Sequence, residues 1–270
     1  MDYSNVAKGH LDIEVRPNKV AIATLNRPDR LNAMGDGLHE AIEEFLHMVN
    51  YDRDVNAVVF TGAGRAFCAG GDVKAMGDRA TGTAEKLDPG NLLRGAKYIV
   101  QRFVNCEVPL IAAINGPAIG LGATIGLLCD VTFIAEDAKI GDNHVRVGIT
   151  AGDGGALIWP YLIGVHKAKD MLMSGRLITG REAHDLGVTN YCYPKEEVLD
   201  RAVAYAEEIA AGARIAVRFT KIALNKHLWD GLNRVMDFCL ISEQLAMGTE
   251  DHKEATTAFK EKRTPVFTGY

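Results

Sequence analysis

A histidine and two aspartates lie in one glycine-rich stretch of the sequence, DNHVRVGITAGDGG, residues 142–155. Histidine has an unperturbed pKa of about 6.5, so it can accept and return a proton near neutral pH. A carboxylate bonded to its far ring nitrogen would fix the tautomer and stabilise the imidazolium. The spacing therefore predicts that His144 forms a proton-transfer pair with Asp153, or with Asp142 as the second choice.

Each of these residues also has a purely structural interpretation. Asp153 precedes a predicted helix over 154–163, and Asp-Gly-Gly is a suitable helix start, so Asp153 could serve only as an N-cap. His144 could be an interior histidine with satisfied hydrogen bonds. The distance between His144 and Asp153 decides between these interpretations.

Two glycine-rich turns each follow a predicted buried strand and precede a predicted helix. They are AGRAFCAGGDVKAM (63–76) and NGPAIGLGAT (115–124). Backbone N–H groups at a helix start have no intrahelical acceptor, and two such turns can aim two of them at one carbonyl oxygen. Such an oxyanion hole stabilises developing charge by roughly 3–4 kcal/mol per donor. The alternative is that the glycines only permit close packing; neither turn matches a nucleotide-binding fingerprint.

Strands and helices alternate through the first part of the chain, which predicts an α/β core with largely parallel strands. LDIEVRPNKVAIATL (11–25) is typical of a β-hairpin. The other predicted elements are strands at 56–62, 109–116 and 130–136 and helices at 36–50, 91–105 and 120–129. Asp36 is a possible cap of the first helix.

Helical patterns dominate after residue 165. The predicted segments are 166–174, 195–211, 214–228, 232–247 and 250–262. A kink or helix junction is expected at Trp159-Pro160. We therefore divide the chain into an α/β core, residues 1–195, and a helical C-terminal region, residues 196–270.

Composition restricts the classes of function. The 270 residues carry a net charge of −5 and no basic stripe, which argues against nucleic-acid binding. No run of about 18 apolar residues is present and the N-terminus lacks an apolar signal core, so neither a membrane span nor secretion is expected. The five cysteines are scattered without CxxC spacing, which favours reduced thiols in a cytoplasmic protein over disulfides or a metal site.

The sequence resembles the enoyl-CoA hydratase/isomerase (crotonase) family along nearly its whole length. The matching segments are ATLNRPDRLNAM (23–34), AFCAGGDVKAM (66–76), IAAINGPAIGLGATIGLLCDVTFIAEDAKIG (111–141), GREAHDLGVTNYCYP (180–194) and FKEKRTPVF (259–267). The resemblance implies a spiral of ββα units with a helical C-terminal trimerisation region, and hence a homotrimer or a hexamer built as a dimer of trimers. It also implies acyl-CoA chemistry of the kind used in fatty acid metabolism, with coenzyme A as part of the substrate and no metal or redox cofactor.

The resemblance assigns roles to further residues. By position, the oxyanion-hole N–H groups belong to Gly71 and Leu121. The residues that match CoA-lining segments are Arg30, Leu31, Ala33, Ala69, Gly70 and Asp72. Arg30 could instead be a solvated turn charge, and Asp72 is expected to cap the next helix. Phe259 and Lys260 match a segment that can reach a neighbouring subunit's CoA, although a solvated helix face is the alternative for Lys260.

The sequence departs from the family at two positions. Typical hydratases carry two glutamates facing the substrate Cα–Cβ bond, one to activate water and one to supply a proton. Thr124 and His144 occupy these positions here. A threonine hydroxyl is a poor base, so we expect the pair of His144 and Asp153 to replace the glutamates, with Thr124 and Asp142 beside the substrate. Substrate selectivity is expected from helix 90–105 and the loop around 77–92.

Three functions remain open at this point. The first is an acyl-CoA hydratase, isomerase or related lyase. The second is a C–C bond hydrolase, because DNHVRVGITAGDGG is similar to the site of β-diketone hydrolases of the 6-oxocamphor hydrolase type, which use a His–Asp pair to activate water. The third is a non-catalytic acyl-CoA-binding homologue that lost both glutamates.

Overall fold

A six-stranded sheet forms one layer of the core, in the strand order β1-β2-β3-β4-β6-β9. The structure is a computed structural model that describes residues 1–7, 9–35, 37–80, 82 and 89–269. The strands are β1 Leu11–Val15, β2 Val20–Leu25, β3 Ala57–Gly62, β4 Leu110–Ile114, β5 Ala118–Ile119, β6 Val131–Ala135, β7 Lys139–Gly141, β8 Ile178–Thr179 and β9 Tyr191–Tyr193. β1 and β2 form the predicted antiparallel hairpin, and the other pairs of this sheet are parallel, as the strand–helix alternation predicts.

A smaller sheet, in the order β5-β7-β8, lies beside the carboxyl ends of these strands. The helices are α1 Ser4–Ala7, α2 Leu38–Val49, α3 Val73–Ala80, α4 Pro89–Asn105, α5 Leu121–Leu127, α6 Gly155–Ser174, α7 Gly180–Asp185, α8 Val198–Ala210, α9 Arg214–Met247 and α10 Glu250–Glu261. β4 leads into β5 and α5, and β6 leads into β7 and α6, so each unit places one strand in each sheet before its helix. This arrangement is the spiral of ββα units that the resemblance implies.

The first long helix, α2, shows why the sequence pattern predicts its elements well. Its buried residues recur at helical spacing: Leu38, Ala41, Ile42, Phe45, Leu46 and Val49. Gly37 occupies the N-cap position and makes no side-chain cap. The predicted cap, Asp36, lies outside the described residues.

Two helices differ from the prediction at their glycines. α6 runs through Trp159-Pro160, and its backbone breaks at Gly164 instead (φ 74°, ψ 156°), a conformation that glycine adopts at little cost. The predicted helices 214–228 and 232–247 form one helix, α9, which continues through Gly231. A β-carbon on Gly231 would lie 2.7 Å from a side-chain atom of Leu157, so this glycine permits close packing and does not end the helix.

The chain after α6 also contains the short strands β8 and β9, for which no strand was predicted. From residue 198 to 261 it forms α8, α9 and α10, which pack on the core: α8 on the larger sheet, α9 on α4 and α6, and α10 on α3 and the turn that follows β7. The division at residue 195 and the trimer remain predictions. In the part of the chain that the structure describes, no helix has an apolar stretch long enough to cross a bilayer.

Buried cations hold α9 against the core. Lys221 Nζ donates to the carbonyl oxygen of Val108 (2.8 Å) and pairs with Asp130 (2.7 Å). The Arg218 guanidinium donates to the carbonyl oxygen of Asn50 (3.0 Å), at the carboxyl end of α2. Because a helix end of this kind carries partial negative charge, a cation stabilises it. These contacts fix where the later turns of α9 lie.

Candidate active site

The imidazole of His144 lies between two carboxylates. Its Nδ1 is 2.5 Å from Asp142 Oδ1, and its Nε2 is 3.1 Å from Asp153 Oδ2. All three residues are buried, with His144 only 6% exposed. The structure thus brings both candidate partners to the ring, one on each nitrogen, where the sequence left a choice between them.

The segment after β7 positions this ring. A 3₁₀ turn begins at His144, and Asp142 Oδ1 accepts the backbone N–H of His144 (3.1 Å), as aspartates at turns commonly do. Gly148 then takes a left-handed conformation (φ 72°), and the chain returns towards the ring. This reversal carries Asp153 back to the histidine.

Asp153 does not cap α6. The helix begins at Gly155 with Gly154 at the N-cap position, and no side chain caps it. The interpretation of Asp153 as a capping residue is therefore wrong, and its carboxylate faces His144 instead. Gly155 packs closely on the other carboxylate of the cluster, because a β-carbon there would lie 2.0 Å from Asp142 Oδ2.

The two carboxylates determine the charge of His144. Burial acts to lower the pKa of His144, but Asp153 and Asp142 together raise it well above its usual value of 6.5. The raised pKa favours the imidazolium form of His144, in which both ring nitrogens donate to the carboxylates. A ring paired with a single carboxylate was expected to titrate near neutrality, and the second carboxylate accounts for the difference.

The two glycine-rich turns meet at a parallel bridge between Cys68 and Ala118. The N–H of Cys68 donates to Pro117 O, and the N–H of Ile119 donates to Cys68 O, both at 3.0 Å. Gly71 and Leu121 each lie three residues beyond this bridge. Among the described residues, neither of their N–H groups donates a hydrogen bond, and that of Leu121 is a first-turn donor of α5.

The ring of His144 lies against the second of these turns. The N–H of Gly120 donates to Gly141 O (3.0 Å) at the end of β7, which brings the turn to the histidine segment. A β-carbon on Gly120 would be 3.3 Å from His144 Cε1 and 3.6 Å from Nε2. Since Gly120 immediately precedes Leu121, the histidine and the candidate oxyanion donor belong to one site.

Thr124 lies one turn into α5 and is fully buried. Its hydroxyl has no hydrogen-bond partner within the described ranges. A β-carbon on Gly154 would lie 2.7 Å from Thr124 Cγ2, so the side chain faces the loop that carries Asp153.

The residues predicted to line CoA lie in two adjoining loops. The N–H of Ala69 donates to Leu31 O (3.0 Å), and the N–H of Met34 donates to Gly70 O (2.8 Å). The backbones of Leu31 and Gly70 are both left-handed. Of the remaining predicted residues, Ala33 is buried in this loop pair, whereas the Arg30 side chain is 54% exposed beside Asp29.

Asn32 joins the two loops through hydrogen bonds, and this role was not predicted from the sequence. Its amide donates to Ala63 O (3.0 Å) and Ala66 O (2.8 Å), and its Oδ1 accepts the N–H of Arg27 (2.8 Å). An asparagine two residues before Met34 in a polar turn is a signal for this left-handed, side-chain-bonded geometry.

Two helix-end residues have clear contacts. Asp72 Oδ1 accepts the N–H of Ala75 (3.0 Å), which confirms the predicted cap of α3. Lys260 Nζ lies 2.8 Å from Asp78 Oδ1, so it ties α10 to α3 within this chain, and Phe259 is exposed. Much of the loop expected to select substrates, residues 81 and 83–88, lies outside the described residues.

A third carboxyl group reaches the histidine cluster from α9. Glu243 is only 8% exposed, and its Oε2 has no hydrogen-bond partner among the described residues. Burial raises the pKa of Glu243 to about 8, and the neighbouring Asp153 contributes in the same direction. Glu243 was not predicted as a site residue, because no sequence motif around it distinguishes it from a surface glutamate of a long helix.

Donor atoms of Asp142, His144 and Asp153 lie within 4.8 Å of one another. This spacing follows from the two contacts between the ring nitrogens and the carboxylates. We therefore treat the cluster as a proton-sharing group and assign no metal ion to it.

Comparison with known proteins agrees with the fold. The profile of the enoyl-CoA hydratase/isomerase family matches residues 15–270. The short-chain-enoyl-CoA hydratase of Clostridium acetobutylicum is 34% identical, over 92% of this chain and 94% of its own length. The 1,2-epoxyphenylacetyl-CoA isomerase of Escherichia coli is 32% identical, over 93% of this chain and 95% of its own.

Solved structures lead to the same conclusion. An enoyl-CoA hydratase/isomerase from Mycobacterium paratuberculosis superposes with a TM-score of 0.85 at 35% identity, covering 92% of this chain and 98% of the other. The chain therefore belongs to the enoyl-CoA hydratase/isomerase family and is an acyl-CoA enzyme of that family.

Proposed function

We propose that the protein stabilises a thioester enolate between the N–H groups of Gly71 and Leu121, and that His144 with its aspartates replaces the two glutamates of typical hydratases. One observation carries the proposal. The His144 ring, with a carboxylate on each nitrogen, packs on Gly120 directly before Leu121. This contact supports the proposal, because enolate chemistry needs an acid–base group close to a backbone N–H donor such as that of Leu121.

Hydration of an enoyl-CoA illustrates the division of labour. Asp153 takes a proton from water, and the resulting hydroxide bonds to Cβ while the C=C electron pair moves to the thioester oxygen. The two N–H groups stabilise that oxygen by roughly 3–4 kcal/mol per donor. When the enolate collapses, Cα takes the proton back from Asp153. His144 keeps its contact with Asp153 through Nε2 and holds that carboxylate in position throughout.

Asp153 fits the base role better than His144 does. Its Oδ2 faces the imidazolium, whereas its Oδ1 has no partner in the described part of the chain and is free to accept a proton. His144 has both nitrogens occupied by carboxylates. In this proposal Thr124 and Asp142 line the acyl end of the substrate.

The CoA end is assigned to the two adjoining loops. Backbone groups of Leu31, Ala33, Ala69 and Gly70 form the wall of this subsite, and the exposed Arg30 supplies a positive charge for the CoA phosphates. Coenzyme A enters as part of the substrate, so the proposal requires no separate cofactor or metal.

A second candidate, hydrolysis of a C–C bond in a β-diketone or β-keto acyl substrate, is favoured by one observation. Thr124 and His144 stand where typical hydratases carry glutamates, and His144 Nε2 lies 3.1 Å from Asp153 Oδ2, a contact suited to a pair that activates water. In that reaction Asp153 takes a proton from water and the hydroxide attacks the ketone carbonyl. The C–C bond breaks, its electron pair forms the enolate held by the same N–H groups, and the enolate carbon then takes the proton back from Asp153.

The test is a substrate panel with the wild type and two variants. Enoyl-CoA thioesters, β-keto acyl-CoA thioesters and a free cyclic β-diketone are assayed with wild type, His144→Ala and His144→Gln. Calorimetric titration with CoA measures binding separately. We expect turnover of an enoyl-CoA, a loss of about 10²- to 10⁴-fold in both folded variants, and unchanged CoA affinity.

Each other outcome has a defined meaning. Turnover of the free diketone without CoA supports the C–C hydrolase. CoA binding without turnover of any substrate supports a non-catalytic homologue. Wild-type turnover in folded His144→Ala contradicts the proposed mechanism.

A further inference from the structure

Glu243 reaches the site from a helix that the sequence motifs do not involve. Its side chain lies on Gly152, where a β-carbon would be 2.3 Å from Glu243 Oε2 and 2.7 Å from Glu243 Cβ. Gly152 immediately precedes Asp153. The third carboxyl group is therefore packed against the very loop that presents the proposed base.

The charges in the cluster limit how Glu243 can act. With His144 protonated and both aspartates ionised, the buried cluster already holds one negative charge in excess. Ionising Glu243 would add a second in a region screened from water, which is costly. The groups that act on Glu243 are Asp153, His144 and Asp142 in the facing segment, with Cys239 on its own helix.

Two buried oxygens on this side of the cluster have no partner among the described residues, Asp153 Oδ1 and Glu243 Oε2. A carboxylate can only accept hydrogen bonds, whereas a protonated carboxyl group can also donate one. Asp153 acts on Glu243 through its charge, and of two interacting buried carboxyl groups the one farther from the cation keeps a proton more readily.

We propose that Glu243 is a positioning residue that works as a neutral carboxylic acid, donating its hydrogen bond towards Asp153 and keeping that carboxylate oriented as the base. Ionisation of Glu243 removes this donor and adds a repelling charge, so the site loses activity. The proposal rests on the proposed role of Asp153 and extends it by one residue from α9.

Three variants test the role of Glu243. Glu243→Gln keeps a neutral donor that cannot ionise, Glu243→Leu removes the donor, and Glu208→Gln is a matched control at an exposed glutamate of α8. The kcat/KM of each is measured from pH 6 to 10 on the best substrate of the panel. We expect wild-type kcat/KM to fall as pH rises past about 8, the value to which burial beside Asp153 raises the pKa of Glu243.

Glu243→Gln should keep kcat/KM at pH 7 within about threefold of wild type and lose the fall near pH 8. Glu243→Leu should lose roughly 10- to 100-fold, as expected for a hydrogen bond to a charged group. A Gln variant that is folded and as inactive as the Leu variant would overturn the proposal. A Glu243→Gln variant whose kcat/KM still falls near pH 8, as that of the wild type does, would also overturn the proposal.

Thermal unfolding supplies a readout that needs no substrate. The folded-state pKa of Glu243 lies above its unfolded value, so its contribution to stability is full below about pH 4.5 and is lost as pH rises through about 8. The Tm of the wild type should therefore decline between pH 6 and 9 more than that of Glu243→Gln. Identical curves of Tm against pH for the wild type and Glu243→Gln would reject a buried neutral Glu243, even if no substrate of the panel is turned over. If no substrate is turned over but the Tm curves differ as expected, only the proposed function is rejected.

Discussion

The side chain of Glu243 lies directly on the backbone of Gly152, with no space between them for a methyl group. A β-carbon on Gly152 would also be 2.7 Å from the carbonyl oxygen of Cys239, a backbone atom of α9 that cannot move without the helix. The contact therefore joins two segments that are distant in sequence and fixes the third carboxyl group beside Asp153.

Gly152→Ala should destabilise the fold by about 1–3 kcal/mol, because overpacking at this contact displaces α9. Urea unfolding measures the effect. Gly95→Ala is the matched control, since a β-carbon there meets nothing closer than 3.7 Å and alanine favours the interior of α4. A Gly152→Ala protein as stable as the Gly95→Ala protein would show that the contact is not tight.

Asp153→Asn and Asp142→Asn should differ in their effects on turnover. Asparagine at 153 removes the proposed base, and we expect a loss of about 10²- to 10⁴-fold in kcat. Asparagine at 142 can still accept the backbone N–H of His144 and hold the turn, so its loss should be smaller. Steady-state kinetics compares the two variants, with circular dichroism as a check of folding. A larger loss of kcat in Asp142→Asn than in Asp153→Asn would make Asp142 the base and Asp153 the residue that holds the turn.

The pKa values of the buried histidines His144 and His252 should be shifted in opposite directions. The carboxylates raise the pKa of His144 well above 6.5 against the effect of burial, whereas burial lowers the pKa of His252, whose Nδ1 lies 2.7 Å from Val147 O. NMR of protein with ¹⁵N-labelled histidine should show His144 charged and His252 neutral at pH 7. Finding His144 neutral at pH 7 would contradict the two-carboxylate cluster.

The same difference has a consequence for stability. The charged form of His144 is favoured in the folded state. The contribution of His144 to the free energy of unfolding is therefore full below about pH 6.5 and is lost as pH rises through the higher pKa of the folded state. His252 acts in the other direction, because acid must charge a ring that is buried neutral. Replacement by glutamine at each position, followed by urea unfolding at pH 6 and pH 9, separates the two contributions.

Thr124→Val should be neutral or stabilising by up to about 1 kcal/mol. The hydroxyl is buried without a partner among the described residues, and valine has almost the same shape. If Thr124 has no proton-transfer role, kcat should change less than threefold. A loss of more than tenfold in kcat, with the unfolding free energy unchanged, would assign the hydroxyl to the reaction.

The sequence predicted the elements and the turns well because these depend on local patterns. The alternation in 11–25 and the apolar spacing of α2 each specify one structure. Gly231 and Gly164 were misjudged for a different reason. A helical glycine and a helix-breaking glycine look alike in sequence, and only the neighbours Leu157 and Tyr161 show that Gly231 is a packing position.

The candidate site was predictable where its residues share one segment. Asp142, His144 and Asp153 lie close together in sequence, and the glycines between them allow the chain to reverse. That the ring contacts both carboxylates at once depends on the fold of this reversal. Glu243 was not predictable, because its position is set by the anchoring of α9 through Lys221 and Arg218.

The placement of α9 divides the reactive groups between two stretches of the gene. The histidine, the aspartates and the oxyanion turns are encoded together, while the third carboxyl group arrives with the segment that follows Gly212. A single crossover at that linker would exchange Glu243 for the corresponding residue of a relative and leave the other groups untouched. Under the role proposed for Glu243, recombination at this linker would change the pH dependence of activity and leave the other groups of the site in place.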